Sequence, residues 1–150
     1  MFLKSHTELP VGFAMVCVGL ARCPASTLVE VASDVQRRGR RMLVETGLGQ
    51  FARGFDAPPQ IEVGQHRSTD RIASLPFRLW AERGGRTLWE LECSLDAAWL
   101  GPDRTYLALS GQYELPFAVL EGTVDRALVH RVAETGAQRF VEATAQRLTG

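Results

Sequence analysis

Tyr113 and Arg78 are the polar side chains best placed to contact a ligand among the apolar residues of the predicted strands. Acid–base chemistry requires a proton donor or acceptor within hydrogen-bond reach of a substrate. In the register we prefer, Tyr113 points inward, where its hydroxyl either orients a ligand or bonds to the backbone. A shift of one residue would instead turn Arg78, Glu90, Glu92 and Ser110 inward, because strand faces alternate. The side-chain direction of Arg78 therefore tests the register.

The histidines and cysteines form no metal-binding pattern. His6, His66 and His130 occur without HxH or HExxH spacing. His130 is expected to meet solvent or the sheet edge. The three cysteines include no CxxC motif, so neither a disulfide framework nor a zinc site is predicted. Cys93 lies on an apolar strand face and is interpreted as a small core residue.

Motifs of other common chemistries are missing from the sequence. No strand is followed by the GxGxxG or GxxxxGK pattern that binds nucleotide phosphates. No serine or cysteine lies in a recognisable nucleophile elbow. The sequence therefore predicts no cofactor and assigns no catalytic residue, and it leaves open whether the protein is an enzyme.

The charge balance argues against a nucleic-acid partner. Seventeen basic residues balance seventeen acidic ones, so the chain has no net charge to attract a polyanion. The one basic cluster is RRGRR at 37–41, near the end of a predicted helix. There, cations interact favourably with the helix dipole, and no aromatic residues are interleaved. We interpret this cluster as a solvated helix face.

An apolar run near the start of the chain has some features of an export signal. The segment LPVGFAMVCVGLARC has Glu8 where a positive flank is required and Arg22 where a small residue should precede Cys23. Its thirteen apolar residues are too few for a bilayer, which requires about 20. We expect no integral membrane segment and a cytoplasmic location.

Three helices are predicted from the apolar periodicity. A first strand at 3–9 precedes helices at 11–22 and 25–46, and the third helix covers 119–148. Residues 47–59 contain three Gly, two Pro and two Phe and are predicted to form a loop.

Four further strands follow this loop, at 60–68, 72–82, 87–99 and 105–115. Their alternation separates an apolar face from a polar one, most clearly in TLWELECSLDAAW. The residues predicted to point inward are Phe77, Leu79, Trp89, Leu91, Cys93, Leu95, Leu107, Leu109 and Tyr113.

Sequential strands with short turns predict an antiparallel meander, whose apolar face must be covered. Only the last helix, about 45 Å long at 1.5 Å per residue, has the required length. The predicted architecture is a single α+β domain over 1–150. In it, a curved antiparallel sheet wraps around the long C-terminal helix, and two shorter helices follow the first strand.

The last helix carries unusually small residues on its predicted inner side. Gly136 and its small neighbours permit close packing against large sheet residues, or leave room beneath the helix. Val132, Gly136 and Phe140 are predicted to line any such space, with the bulky Phe140 as a partition within it.

Three segments, LPFRLWA, LGPDRTYLALSGQYELP and DRALVHRVAETGAQRFVEATAQRL, resemble small bacterial members of the START-like (SRPBCC) helix-grip superfamily. That superfamily includes Bet v 1-like pollen allergens, lipid-transfer domains and polyketide cyclase/dehydratase proteins. The resemblance covers roughly the second half of the chain, and the first half agrees in element order. The family typically has seven strands, whereas we predict five here.

The resemblance implies a cavity between sheet and helix that holds a lipid-like, aromatic or polyketide-like molecule. The leading hypothesis is therefore binding of a small hydrophobic ligand. One alternative is a cyclase or dehydratase in which Tyr113, with Arg78, contacts the substrate. Another is a filled interior, with no cavity above about 300 Å³ and a function at the surface, for example as a homodimer.

Overall fold

The computed structural model describes residues 2–47, 55–114 and 126–149 of the 150-residue chain. Three helices and six strands occur in this part of the chain. In chain order they are β1 (Phe2–Leu9), α1 (Phe13–Ala21), α2 (Ala25–Glu45), β2 (Gln60–Val63), β3 (Arg67–Ser68), β4 (Ile72–Arg83), β5 (Arg86–Gly101), β6 (Arg104–Glu114) and α3 (Arg126–Thr149).

The strands form one antiparallel sheet in the order β1-β6-β5-β4-β2, and β3 pairs with β4 beside β2. The long hairpins β4–β5 and β5–β6 form the centre of the sheet, and β1 returns to pair with β6 along its whole length. The predicted meander, with β1 added at one edge, is therefore confirmed.

The predicted alternation of strand faces is confirmed. On β4, Ala73, Leu75, Phe77, Leu79 and Ala81 are buried and alternate with more exposed residues. The same period continues on β5 and β6. Because a one-residue slip would expose this whole set, burial fixes the register.

The predicted strand at 60–68 is divided into β2 and β3, which raises the strand count from the expected five to six. The interruption lies opposite Pro76, which has no N–H to donate to the ladder. Val63 pairs with Phe77 and Arg67 with Ser74, so this edge carries one residue more than β4. The Gly64 N–H donates to the Pro76 carbonyl at 2.7 Å. This is a bulge, which the apolar pattern alone did not indicate.

Two glycine positions shape the sheet. The turn RGGR joins β4 to β5 through Gly84 and Gly85, whose φ values of 58° and 78° suit a tight hairpin turn. Gly111 lies on the inner face of β6 opposite Cys93. A Cβ at Gly111 would stand 2.2 Å from the Glu92 carbonyl oxygen and 2.5 Å from the Cys93 Cβ. The absent side chain therefore permits the two strands to bend closely over each other.

The helices cover the inner face of the sheet. α3 packs on β1 and β6 and along α2, whereas α1 packs on the central strands. The two helices after β1 differ in length and position, since α1 has nine residues. α2 has 21 residues, nearly the length of the 24-residue α3, and lies between α3 and β2. The predicted start of the last helix, at 119, lies outside the described residues, as do positions 48–54 of the predicted loop.

Within the described part of the chain, none of the helices alone has the length and apolar character to cross a membrane. Only α1 and α2 taken together meet that test, and they are bent by 95° relative to each other.

Candidate functional site

A cavity of about 170 Å³ lies between the inner face of the sheet and the helices α2 and α3. Its wall is mostly apolar. The lining residues are Leu3, Ala32, Val35, Gln36, Gly39, Leu43, Phe55, Leu79, Trp89, Glu90, Leu91, Leu109, Tyr113, Glu114, Val132, Ala133, Gly136, Ala137 and Phe140. The small residues of α3 therefore lie both at a close contact with α2 and beside an open space. A Cβ at Gly136 would stand 3.2 Å from Val35 on α2, and the cavity lies beside this contact.

Most of the residues predicted to contact a ligand lie on the cavity wall. They belong to the four elements from which they were predicted, three strands and the last helix. These residues are Leu79, Trp89, Leu91, Leu109, Tyr113, Val132, Gly136 and Phe140.

Three of the predicted contacts, Phe77, Cys93 and Leu107, do not line the cavity. They point inward as expected but are packed into the hydrophobic core. Phe140 stacks on Phe77 with ring centroids 5.7 Å apart, which fills the space next to Phe77. For Cys93, burial also raises the pKa of the thiol, as expected for an inert core residue. The alternation of the strands predicted which side chains point inward. It did not predict which of them line the cavity and which are packed in the core.

Gln36 on α2 is a buried polar residue in the wall that the sequence analysis did not identify. Its Nε2 donates to the carbonyl oxygens of Phe55 and Ala57, at 2.5 and 2.7 Å. Its Oε1 is buried and has no hydrogen-bond partner among the described residues. The position of Gln36 between Ala32 and Leu43 on the buried helix stripe was the available signal.

Trp89 on β5 contributes a second buried polar atom to the wall. Its Nε1 has no hydrogen-bond partner within the described ranges. Two other buried side-chain atoms share this condition, His66 Nε2 and Thr144 Oγ1, but neither residue lines this cavity. Because most buried polar groups in proteins are hydrogen-bonded, these unpartnered atoms are exceptions.

Tyr113 begins a hydrogen-bonded chain that leads from the cavity to the protein surface. Its hydroxyl lies 2.7 Å from Nδ1 of His130, whose Nε2 lies 2.6 Å from Oε1 of Glu134. A carboxylate accepts hydrogen bonds, so Nε2 donates to Glu134, and in the tautomer with its single proton on Nε2 the Nδ1 atom accepts from the tyrosine. Burial, and secondly the charge of Glu134, raise the pKa of Tyr113 to about 12. Tyr113 is therefore a neutral donor near pH 7.

The expectation for His130 is confirmed only in part. Its side chain is 33% exposed, but the ring also stacks on that of Tyr113, with centroids 6.0 Å apart. The reason is that α3 packs against β6, which brings the two rings together. The spacing of His130 and Glu134, four residues apart on one helix, was a signal that the sequence offered.

Arg78 lies on the outer face of the sheet. It forms an ion pair with Glu90, and its guanidinium carbon stands 4.2 Å from the centre of the Trp80 ring. The guanidinium does not line the cavity, so Arg78 is not a ligand contact. This placement confirms the register from which Tyr113 was predicted to point inward.

The four arginines of the RRGRR cluster are exposed on α2, as expected. Arg37 pairs with Asp34, and Arg40 pairs with Asp56 at 2.9 Å. Gly39, between them, faces the opposite way and lines the cavity. The cluster is therefore the outer side of a helix whose inner side forms the wall.

The described residues contain no group of three or more His, Cys, Asp or Glu side chains suited to hold a metal ion. A second space, of about 460 Å³, lies where the α1–α2 turn meets the end of α3. It is larger, but its lining mixes exposed charged residues such as Arg22 and Arg147 with hydroxyl groups. The smaller apolar cavity is the better candidate for a hydrophobic ligand.

Solved structures share the whole fold. A conserved protein from Geobacillus kaustophilus aligns over 97% of this chain and 93% of its own, with 13% identity and a TM-score of 0.59. A hypothetical protein from Helicobacter pylori aligns over 98% of this chain and 87% of its own, with 13% identity and a TM-score of 0.57. In this chain, an antiparallel sheet packs around a long C-terminal helix, and two helices follow the first strand. This chain has a helix-grip α+β fold.

The predicted architecture is thus confirmed at the level of the fold. A START superfamily protein from Mycobacterium smegmatis is also similar, over 99% of this chain and 97% of its own, with 11% identity and a TM-score of 0.40. No protein-family model matches this chain, and no curated protein sequence matches it either. At these identities the similarity extends to the fold alone, and the ligand must be argued from the cavity.

Proposed function

We propose that this protein binds a small hydrophobic molecule in the cavity between the sheet and α3. The observation that supports the proposal is an apolar cavity bounded by residues from α2, α3 and the sheet. Ligand sites of this kind combine an apolar wall with a few polar groups that fix orientation. Here, the polar residues of the lining include Gln36, Trp89 and Tyr113.

The size of the cavity limits the ligand. Its volume of about 170 Å³ lies below the range of about 300 to 1,000 Å³ that drug-sized ligands occupy. A cavity of about 150 Å³ in a protein interior holds benzene. The proposed ligand is therefore one ring, or two fused rings, rather than a long-chain lipid or a polycyclic molecule. This volume also meets the limit set for a filled interior, so binding must be tested directly.

The test is a titration with single-ring and two-ring aromatics, toluene and indole, followed by ligand-observed NMR and by the shift of the thermal unfolding midpoint. Ala133 lines the cavity, so Ala133→Leu fills part of the space. We expect this variant to weaken toluene binding at least about tenfold, since overfilled sites lose ligand contacts. Ala25→Leu adds the same side chain at an exposed position of α2 and should change the affinity less than about twofold.

Equal binding by the two variants would contradict a site in this cavity. No binding of any aromatic by the unmodified protein, with no hydrophobic molecule found by native mass spectrometry of protein from its own host, would favour the filled interior.

A second candidate function is acid–base catalysis on a small aromatic substrate. It rests on the chain from Tyr113 through His130 to Glu134, which could carry a proton between the cavity wall and the surface. For a substrate found by the binding screen, Tyr113→Phe should lower kcat at least about tenfold. His130→Gln should shift the pH profile of kcat, whereas a purely structural role would leave the shape of that profile unchanged.

A further inference from the structure

We propose that the second space, where the α1–α2 turn meets the end of α3, binds a molecule that carries a phosphate group. Its volume of about 460 Å³ lies within the range of about 300 to 1,000 Å³ that small-molecule ligands occupy. It shares no lining residue with the apolar cavity, so this inference is independent of the proposed function.

Two arginines from different helices meet in the lining of this space. Arg22 ends α1, and Arg147 lies in the last turn of α3. Both residues are exposed, so a ligand can reach them. Arg22 forms no ion pair with any described residue, and the described lining contains no Asp or Glu. Guanidinium groups match the oxygen atoms of a phosphate with paired hydrogen bonds.

Arg147 also forms an ion pair with Glu30 on α2, with Nη1 and Oε2 2.6 Å apart. Glu30 does not belong to the lining. A guanidinium has five N–H donors, so a single bond to Glu30 leaves others for a ligand. The ion pair therefore holds the Arg147 side chain beside the space, and two arginines against one glutamate leave the surroundings positive.

The N-terminal end of α2 adds to this positive charge. Its N-cap Pro24 and its first-turn residue Thr27 belong to the lining. No side chain caps this end, and the first turn contains no acidic residue. The first N–H groups of a helix have no acceptor within the helix, and the dipole of a 21-residue helix favours an anion there. Thr27 supplies a hydroxyl donor at the same place.

This set of donors fits a phosphate better than a carboxylate. One guanidinium in a paired contact already uses both oxygen atoms of a carboxylate, whereas a phosphate monoester has three terminal oxygen atoms and a larger charge. Two guanidinium groups and the start of α2 together offer more donors than a carboxylate accepts. The volume also leaves room for the organic part of a phosphate ester.

The face of α1 that leads to this space is apolar and exposed. Met15 and Val18 are 61% and 50% exposed. They share one face of the helix with Gly19 and Arg22, because these positions are three, four or seven residues apart. Gly19 and Arg22 line the space. The phosphate can therefore belong to a soluble ester or to a phospholipid whose acyl chains contact this face, and the experiment separates the two sources.

The soluble probes are inorganic phosphate and glycerol 3-phosphate, with acetate as the carboxylate control. They are titrated by calorimetry at low ionic strength, because salt screens contacts between exposed charges. We expect both phosphate probes to bind at least about tenfold more tightly than acetate. The lipid source is tested by sedimentation of the protein with vesicles of phosphatidylcholine, with and without phosphatidate.

Four substitutions assign the binding to this site. Arg22→Gln and Arg147→Gln should each weaken binding of glycerol 3-phosphate at least about fivefold. Arg38→Gln removes an exposed arginine of α2 outside the lining and should change binding less than about twofold. Glu30→Gln breaks the ion pair but keeps the cation, so binding should be unchanged or tighter. Toluene binding should stay within about twofold in Arg22→Gln.

The outcomes decide the site and the source of the phosphate. Equal weakening by Glu30→Gln and Arg147→Gln would show that Arg147 acts only through its ion pair, and would overturn the site as described. Acetate bound as tightly as the phosphate probes, or no binding of these probes or of phosphatidate vesicles, would also overturn it. Vesicle binding that is lost in Met15→Ser, with glycerol 3-phosphate binding unchanged, would assign the site to a phospholipid. Failure of toluene binding alone would contradict the proposed function and leave this site intact.

Discussion

Polar groups on the two sides of the sheet differ in whether the protein supplies them with hydrogen-bond partners. On the outer face, Ser74 and Ser94 both donate to Asp96, at 2.6 and 2.9 Å, and Arg78 pairs with Glu90. On the inner side, Trp89 Nε1 and, on α2, Gln36 Oε1 are buried without a partner among the described residues. The outer polar groups are satisfied by the protein, although solvent is also available to them there.

This difference shows that hydrogen-bond partners are missing in the interior and not at the surface. Leaving a buried donor or acceptor unpaired costs about 1–3 kcal/mol, far more than leaving one in water. The outer polar groups avoid this cost, whereas the two buried atoms on the inner side carry it. The following predictions test the comparison, from the largest expected effect to the smallest.

Gly111 lies on the inner face, where a side chain has no room. Gly111→Ala places a Cβ against the backbone of Glu92, which cannot move without opening the β5–β6 ladder. We expect a loss of more than about 4 kcal/mol in the free energy of unfolding, measured by urea denaturation. Ser110→Ala, on the outer face of the same strand, should cost less than about 1 kcal/mol. A small effect of Gly111→Ala would mean that the strands are less tightly bent than described.

The packed part of the inner face should be the next most sensitive. Leu95 is fully buried, so Leu95→Ala removes contacts and leaves a void, at a cost of about 2–5 kcal/mol. Its neighbour Ser94 belongs to the outer hydrogen-bonded group, where Ser74 still bonds to Asp96 after Ser94→Ala. That change should cost about 1 kcal/mol. Equal losses in thermal or urea unfolding would remove the distinction between the faces.

Tyr113 should give the protein a pH dependence in alkaline solution. Its pKa of about 12 lies above the ordinary value of about 10, so the unfolded chain loses this proton first as the pH rises. The free energy of unfolding should therefore decrease between about pH 10 and 12, and this component should be absent in Tyr113→Phe. Urea midpoints at pH 9 and pH 11 measure the difference, and parallel decreases in both proteins would contradict a buried hydroxyl.

The smallest effect is expected at Arg78. Its ion pair with Glu90 is partly exposed, and such pairs contribute about 0–1 kcal/mol. Arg78→Ala should change stability by no more than this and leave the affinity for aromatic probes within about twofold, because the residue lies outside the cavity. A tenfold loss of binding would show that the outer face takes part in recognition.

Much of the fold could be predicted because its determinants are local. Alternation along TLWELECSLDAAW assigned the inner residues of β5. The division between β2 and β3 was missed because it depends on Pro76, which belongs to a different strand.

For the candidate site, the sequence predicted which side chains point inward, but it did not predict how far the cavity extends. Strand period indicated that Leu79, Leu91 and Leu109 point inward, and they line the cavity. The same period could not separate them from Phe77, which is packed against Phe140. Volume depends on how side chains from distant segments fill the space between helix and sheet, and no single periodicity contains that information.

The sequence alone therefore determined which face of each strand is apolar, the order of the elements and the START-like resemblance, because these follow from local pattern. Only the tertiary structure decided that Gln36 turns its amide nitrogen to two loop carbonyls, that His130 meets Tyr113, and that a cavity of about 170 Å³ remains. Those facts depend on the distance and angle between α2, α3 and the sheet. Residues far apart in the chain set that geometry jointly.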